Sequence, residues 1–164
     1  MKTIKRRKKE HKTDYLKRFK MLKSGKPRIV FRKTNKYIIA QYISGEKAQD
    51  KILVGINSKI LKEYGWTEEM GKSIKSVPAS YLTGLLMGKR ISEKNLELPI
   101  IDFGMARPTY HGKGYAFIKG LIDAGVGIKT GKDEIFPDEE KISGKGLKKD
   151  MSKTFEKIKS KIEK

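Results

Sequence analysis

Two stretches of the chain carry the side chains with the clearest chemistry, which is the binding of a polyanion. The first is residues 5–12, where six of the eight residues are Lys or Arg. The second is residues 28–41, which reads Arg-Ile-Val-Phe-Arg-Lys-Thr-Asn-Lys-Tyr-Ile-Ile-Ala-Gln. Arginine can hold a phosphate with two parallel hydrogen bonds, whereas lysine acts as a point charge. The first candidates for phosphate contacts are therefore Arg6, Arg7, Arg28 and Arg32.

Patterns that would indicate catalysis or nucleotide binding fail. Residues 71–73, Gly-Lys-Ser, resemble the end of a P-loop, but Trp66 stands where that motif needs its first glycine. The chain has no cysteine and two histidines, so thiol chemistry is excluded and a zinc site lacks ligands. Asp102 and Asp123 are the only acids in the predicted buried elements, too few for a metal-dependent nuclease. We expect no enzyme activity, no metal and no cofactor.

The net charge of +20, from 39 basic and 19 acidic residues, indicates a polyanionic partner. Nucleic acid is the first candidate and an anionic membrane the second. No apolar run approaches the length of a membrane span, and the basic N-terminus lacks the apolar segment of a secretory signal, so we expect a cytoplasmic protein.

The positive charge is unevenly distributed. Residues 1–26 hold twelve basic and two acidic side chains (+10), residues 27–128 sixteen and nine (+7), and residues 129–164 eleven and eight (+3). This distribution predicts a basic arm with a short helix (1–26), an α/β body (27–128) and a C-terminal extension with an amphipathic helix (129–164).

Residues 28–33 and 37–43 form a predicted β-hairpin around a turn at Asn35. Strand side chains alternate between faces. The face predicted to enter the core carries Ile29, Phe31, Ile38, Ala40 and Tyr42. The opposite face carries Arg28, Val30, Arg32 and Gln41. This hairpin is either a platform for a polyanion or an ordinary half-solvated one.

The arm at residues 1–12 has almost nothing to bury, so we expect it to be disordered without a ligand and to fold on phosphates. A solubilising or targeting tail is the alternative.

A short helix over residues 15–23 is predicted next, capped by Thr13 or Asp14. Its apolar positions, Tyr15 or Leu16, Phe19 and Leu22, have helical spacing and are expected to pack.

Further elements follow along the chain. A third strand is predicted at residues 51–56, and a helix at 77–89. This helix carries a stripe of small residues, Ser80, Gly84 and Gly88. The stripe indicates close approach of a neighbouring helix or strand rather than RNA. Residues 98–103 are continuously apolar and predict a strand buried on both faces. A helix over 115–124 follows. The C-terminal helix is amphipathic at Leu147, Met151, Phe155, Ile158 and Ile162, so it needs a surface to lie on, which belongs either to this body or to a partner protein.

Five blocks, in order, resemble the archaeal form of large-subunit ribosomal protein eighteen, a family that binds 5S rRNA. They are Glu-His-Lys-Thr-Asp-Tyr (10–15), the stretch 22–41, Pro-Ala-Ser-Tyr-Leu-Thr-Gly-Leu-Leu-Met-Gly (78–88), Ile-Asp-Phe-Gly (101–104) and Ile-Lys-Gly-Leu-Ile-Asp-Ala-Gly (118–125). One position departs from the family pattern, because His11 replaces the usual glycine of the first block.

The resemblance implies a mixed β-sheet flanked by helices, related to the ribonuclease-H-like motif of translation proteins, and no enzyme activity. It implies that the protein binds 5S rRNA in the central protuberance of the large subunit, next to 23S rRNA and the other 5S-binding ribosomal protein. No homo-oligomer is expected. A DNA-binding architectural protein is the alternative with the same charge, although no groove-reading motif is recognisable.

Because A-form RNA hides its major groove, we expect recognition through phosphates, 2′-hydroxyls and bases exposed in loops. The residues predicted to contact RNA are Lys5, Arg6, Arg7, Lys8, Lys9, Lys12, Tyr15, Arg18, Arg28, Arg32, Lys33, Asn35, Lys36, Tyr37, Gln41, Arg107, His111 and Lys113. Tyr15 and Tyr37 are candidates for stacking, with packing into the protein as the alternative. Arg107, His111 and Lys113 are assigned to a second rRNA surface.

Overall fold

The computed structural model describes residues 3–46, 49–67, 73–131, 133–145 and 151–163. Residues 71 and 72 of the rejected P-loop pattern and Leu147 lie outside these ranges. In chain order the helices and strands are α1 (Arg6–Lys9), α2 (Tyr15–Lys23), β1 (Arg28–Lys33), β2 (Ile38–Glu46), β3 (Gln49–Asn57), a 3₁₀ helix (Ser58–Lys62), α3 (Val77–Glu93), β4 (Ile100–Asp102), α4 (Lys113–Asp123), a second 3₁₀ helix (Asp133–Ile135), α5 (Glu139–Ser143) and α6 (Ser152–Glu163).

The strands form one mixed sheet in the order β3-β2-β1-β4, with β1–β2 and β2–β3 antiparallel and β1–β4 parallel. The predicted hairpin is confirmed, and its register pairs Phe31 with Ala40. The apolar face predicted to enter the core is buried: Ile29, Phe31, Ile38, Ala40 and Tyr42. The predicted fold class, a mixed sheet flanked by helices, is thus confirmed.

Helices α3 and α4 pack against each other through small residues. A side-chain Cβ at Gly84 would overlap the carbonyl oxygen of Phe117 and lie 3.0 Å from its carbonyl carbon. A Cβ at Gly120, on the opposite helix, would lie 2.8 Å from the backbone nitrogen of Leu85. The hydroxyl of Ser80 donates to the carbonyl of Lys113. The small-residue stripe is therefore a helix–helix contact, as the sequence predicted.

The strand predicted at residues 98–103 is present but shorter than predicted, and two of its three residues are only partly buried. Strand β4 has three residues and lies at the end of the strand order, where it pairs with β1. Pro99 has no amide hydrogen to donate to the ladder, so pairing starts where the amide of Ile100 donates to Pro27. Leu98, outside the strand, is 47% exposed.

Helix α6 lies on α3, and this places the amphipathic C-terminal helix on the body of the same chain. Met151, Phe155, Ile158 and Ile162 are all buried, as predicted. The ring of Phe155 lies 5.7 Å from that of Tyr81 on α3.

Helix α2 has the predicted bounds, and Asp14 caps it by accepting hydrogen bonds from the amides of Leu16 and Lys17. The expectation that Phe19 packs was wrong, because Phe19 is 65% exposed and none of the residues of α2 is buried. Leu16 and Phe19 point away from the body, whereas Tyr15, Met21 and Leu22 are partly buried.

Candidate nucleic-acid interface

A cleft of about 630 Å³ separates helix α2 from the front face of the sheet, the face opposite α3 and α4. The floor includes Val30 and Ile43, and the far wall is the loop of residues 102–106. Its cationic lining residues are Arg7, Lys12, Lys17, Arg18, Arg28, Arg32 and Lys33, and its acidic ones are Asp14, Asp50 and Asp102. Seven cations against three carboxylates make this cleft the main basic feature of the described surface.

Arg28 is the centre of an ion-pair network at the end of the cleft. Its guanidinium lies 2.6 Å from an oxygen of Asp50 and 3.5 Å from one of Asp102. The other oxygen of Asp50 lies 2.8 Å from the guanidinium of Arg18 on α2. Arg28 lies on the front face, as predicted, but its side chain is only 4% exposed in the free protein. Strand alternation placed it on that face, and the two carboxylates and α2 cover it.

This network attaches helix α2 to the sheet. The carboxylate of Asp50, on β3, joins a guanidinium on α2 to one on β1. The ammonium of Lys17, one residue along α2, donates to the carbonyl of Gly104 at 3.2 Å. Since no residue of α2 is buried, these charged contacts set the width of the cleft.

Partial burial of the Asp50 carboxyl would by itself raise its pKa, but the hydrogen bond from Arg18 and the charge of Arg28 outweigh this, and the net effect is a lowered pKa. The folded-state pKa therefore lies below the ordinary value of 3.8. The ion pairs stabilise the fold fully above that value, and their contribution is lost as the pH falls through the lowered one.

Asp50→Asn is therefore expected to lower the free energy of unfolding at pH 7 by about 1 kcal/mol, a modest figure for a charged hydrogen bond that is still partly solvated. The difference from the unsubstituted protein should shrink as the pH falls through the lowered pKa of Asp50 and disappear once that carboxyl is protonated, because both chains then carry an uncharged group at this position. Urea denaturation at a series of pH values measures it. Asp138→Asn is the matched control, because the side chain of Asp138 makes no capping hydrogen bond. A pH-independent loss for Asp50→Asn would show that its charge is not what stabilises α2.

The arm residues surround the open end of the cleft. Arg7 donates to the Thr13 hydroxyl at 2.9 Å, and Lys12 pairs with Glu10 at 2.8 Å. The ammonium of Lys5 lies 4.7 Å from the ring centre of Tyr15, which keeps this ring at the protein surface. Arg6, Lys8 and Lys9 lie on α1 and are exposed. Every described residue before Thr13 is exposed, so all these cations face solvent.

The hairpin tip extends the basic surface beyond the cleft. Arg32 is exposed and lies 3.5 Å from the side-chain oxygen of Gln41, while Asn35 and Lys36 are exposed in the turn. Tyr37 is partly buried against the core, so the structure favours its packing alternative.

Lys113 joins this tip to the second predicted surface. Partial burial and the like charges of Lys33 and Lys75 lower the pKa of Lys113. Three ammonium groups that repel one another in the free protein favour a bound anion between them.

The loop of residues 104–112 holds the rest of the second predicted surface. Arg107 is exposed. His111 is partly buried, and its Nδ1 lies 2.6 Å from the carbonyl oxygen of Phe136. The structure thus brings Lys113 towards the hairpin, leaves Arg107 in solvent and gives His111 a partner within the protein.

Sequence reasoning missed Asp50 as part of the site and left open whether Lys17 is solvated or meets RNA. Lys17 was one of several lysines on a helix whose orientation the sequence does not give. Asp50 lies 22 residues from Arg28, its partner, and no local pattern connects the two.

Within the described ranges, no group of three or more His, Asp or Glu side chains is arranged to hold a metal ion. No helix there has the length and apolarity needed to cross a membrane. The floor of the cleft offers guanidinium groups and apolar surface, which is a binding chemistry rather than a catalytic one.

Comparison with known proteins identifies the family. Residues 1–99 match the family described as ribosomal large subunit proteins 60S L5 and 50S L18. The large ribosomal subunit protein uL18 of Korarchaeum cryptofilum is 41% identical over 142 residues, which covers 87% of this chain and 70% of that protein. The uL18 protein of Haloarcula marismortui is 40% identical over 139 residues, covering 85% and 72%. The chain therefore belongs to the family of large-subunit ribosomal proteins 60S L5 and 50S L18, structural and non-enzymatic components of the ribosome.

Proposed function

We propose that this protein binds 5S rRNA and helps to attach it to 23S rRNA in the central protuberance, beside the other 5S-binding ribosomal protein. The observation that carries this proposal is the cationic cleft of a large-subunit ribosomal protein, built by β1 and α2 and lined by seven Lys or Arg side chains. Five of these seven side chains come from the two basic stretches, 5–12 and 28–41, and the second stretch lies within a block that resembles the 5S-binding family.

The cleft suits an RNA backbone better than a base pair. Its cations lie on the floor and on the α2 wall, so phosphates on either side of a strand would meet a guanidinium or ammonium group. The floor between them is formed by the almost completely buried apolar side chains of Val30 and Ile43. Such a site reads the shape of the RNA and its 2′-hydroxyls more than its sequence.

We also propose that three parts of the chain have different roles. The basic arm and short helix (1–26) would bind phosphates, the α/β body (27–128) would present the cleft and the hairpin tip, and the extension (129–164) would stabilise the body. The docking of α6 on α3 supports the last of these roles.

The full-length protein is expected to bind 5S rRNA at least about tenfold more tightly than transfer RNA or duplex DNA of similar length at 150 mM salt, a preference of about 1.4 kcal/mol. Filter binding or electrophoretic shifts over 50–300 mM salt would measure it, because non-specific attraction falls steeply with salt. Equal affinities at the upper salt limit would contradict 5S recognition. Tighter binding to duplex DNA would favour the architectural alternative. Footprinting of 5S rRNA would then locate the contact.

A further inference from the structure

The outward face of helix α2 carries the large apolar side chains Leu16 and Phe19, 67% and 65% exposed. Positions 16, 19, 20 and 23 lie on one side of a helix, so Lys20 and Lys23 share this face. The other side of α2 lines the cleft through Lys17, Arg18 and Met21. The helix therefore presents two different surfaces, and only the inner one belongs to the cleft.

The charge of α2 identifies the kind of partner that would cover its outward face. The helix contains four cationic residues and no acidic one, and its last turn is basic. An apolar protein surface would cover Leu16 and Phe19 but would leave Lys20 and Lys23 against a low-dielectric partner, at a cost in desolvation. An unpaired nucleobase offers an aromatic face with phosphates beside it, and this combination matches an aromatic ring flanked by lysines.

We propose that Phe19 is a stacking platform for an unpaired rRNA nucleobase and that Lys20 and Lys23 bind its neighbouring phosphates. This inference rests on the proposed function, since it assigns a second RNA contact to the same basic arm and helix. With RNA also in the cleft, α2 would lie between two RNA segments, which explains why a helix without buried residues exposes an aromatic ring.

Phe19→Ala is expected to lower the affinity for 5S rRNA about tenfold, as loss of one stacked base does. Because stacking is not ionic, the slope of log affinity against log salt should stay the same, whereas Lys20→Ala should lower this slope by about one phosphate contact. Phe19→Leu keeps the apolar surface but removes the ring, so it should bind as weakly as Phe19→Ala. Leu98→Ala is the matched control at an exposed apolar position beside a different depression, and it should bind normally. Full affinity for Phe19→Leu would show that apolar contact, not stacking, is what this face provides.

A second measurement separates this inference from the assignment to 5S rRNA. In Phe19→Trp, the new indole is exposed, whereas the natural Trp66 is 4% exposed, so the difference in fluorescence between variant and parent reports position 19. Quenching by 5S rRNA would support both proposals. Quenching by single-stranded oligoadenylate in a protein that shows no 5S preference would support the stacking surface and contradict the proposed function. No quenching by either RNA would overturn the stacking surface, whatever the affinity for 5S rRNA.

Discussion

Gly84→Val is expected to destabilise the protein by about 4 kcal/mol or more, enough to unfold much of it at 37 °C. Even the first carbon of the new side chain would overlap the Phe117 carbonyl, and that backbone cannot move away without separating α4 from α3. The γ-methyl groups add to the overlap. Gly120 is equally close to Tyr81 from the other helix, so both helices meet at backbone contact distance.

Thermal and urea denaturation followed by circular dichroism would measure the loss. Gly131→Ala is the matched control, because nothing lies within 4 Å of a Cβ there. This control should change the free energy of unfolding by less than about 1 kcal/mol. A Gly84→Val protein of normal stability but weak RNA affinity would show that the small-residue stripe faces RNA instead of α4.

The stripe of small residues could be predicted from the sequence because the free-energy cost of glycine in a helix depends on the helix alone. Two glycines inside an apolar helix are unfavourable unless something approaches closely, and this holds whichever element makes the approach. The buried side of the hairpin could be predicted for a similar reason, since alternation along a strand determines which side chains share a face. In both cases the pattern repeats every few residues, so a short stretch of sequence is enough to show which face of the element is in contact.

Phe19 and Arg28 could not be placed in the same way. Helical periodicity shows that Leu16 and Phe19 lie together, but it does not show which side of α2 meets the sheet. Strand alternation puts Arg28 on the front face, but its carboxylate partners lie 22 and 74 residues away in the sequence. Tertiary contacts decided both positions. They cover Arg28, a predicted phosphate ligand, with two carboxylates, and they leave Phe19, which was predicted to pack, exposed.

The predicted RNA-binding residues of the cleft therefore differ in the partners they have in the free protein. Arg7 and Arg32 are exposed and bonded to neutral side chains, and Lys12 is exposed and paired with Glu10. Arg18 and Arg28 share the carboxylate of Asp50. A phosphate that entered the cleft would compete with Asp50 for Arg18, which is the more exposed of the two arginines. Arg28, whose side chain is 4% exposed, would keep its buried partner Asp102, so we expect its removal to alter the cleft by releasing α2.

Deletion of residues 1–12 is expected to leave stability unchanged and to lower the affinity for 5S rRNA on the order of 100-fold at 150 mM salt. The deleted segment contains seven Lys or Arg and one Glu. All of its described residues are exposed, so its removal costs no burial. Each phosphate that loses a cation should reduce the salt slope by about 0.7–0.9, and a reduction of about three units or more is expected.

A matched pair of charge variants tests whether position, and not total charge, causes this effect. Lys5, Lys8 and Lys9 changed to Gln remove three positive charges from the arm, and Lys145, Lys153 and Lys157 changed to Gln remove three from exposed positions at the other end of the chain. General electrostatic attraction would weaken both variants equally. Direct contact between the arm and phosphates would lower the salt slope in the first variant alone. Equal slopes in the two would mean that the arm raises the encounter rate without touching the RNA, and the phosphate contacts would then belong to the cleft and hairpin tip.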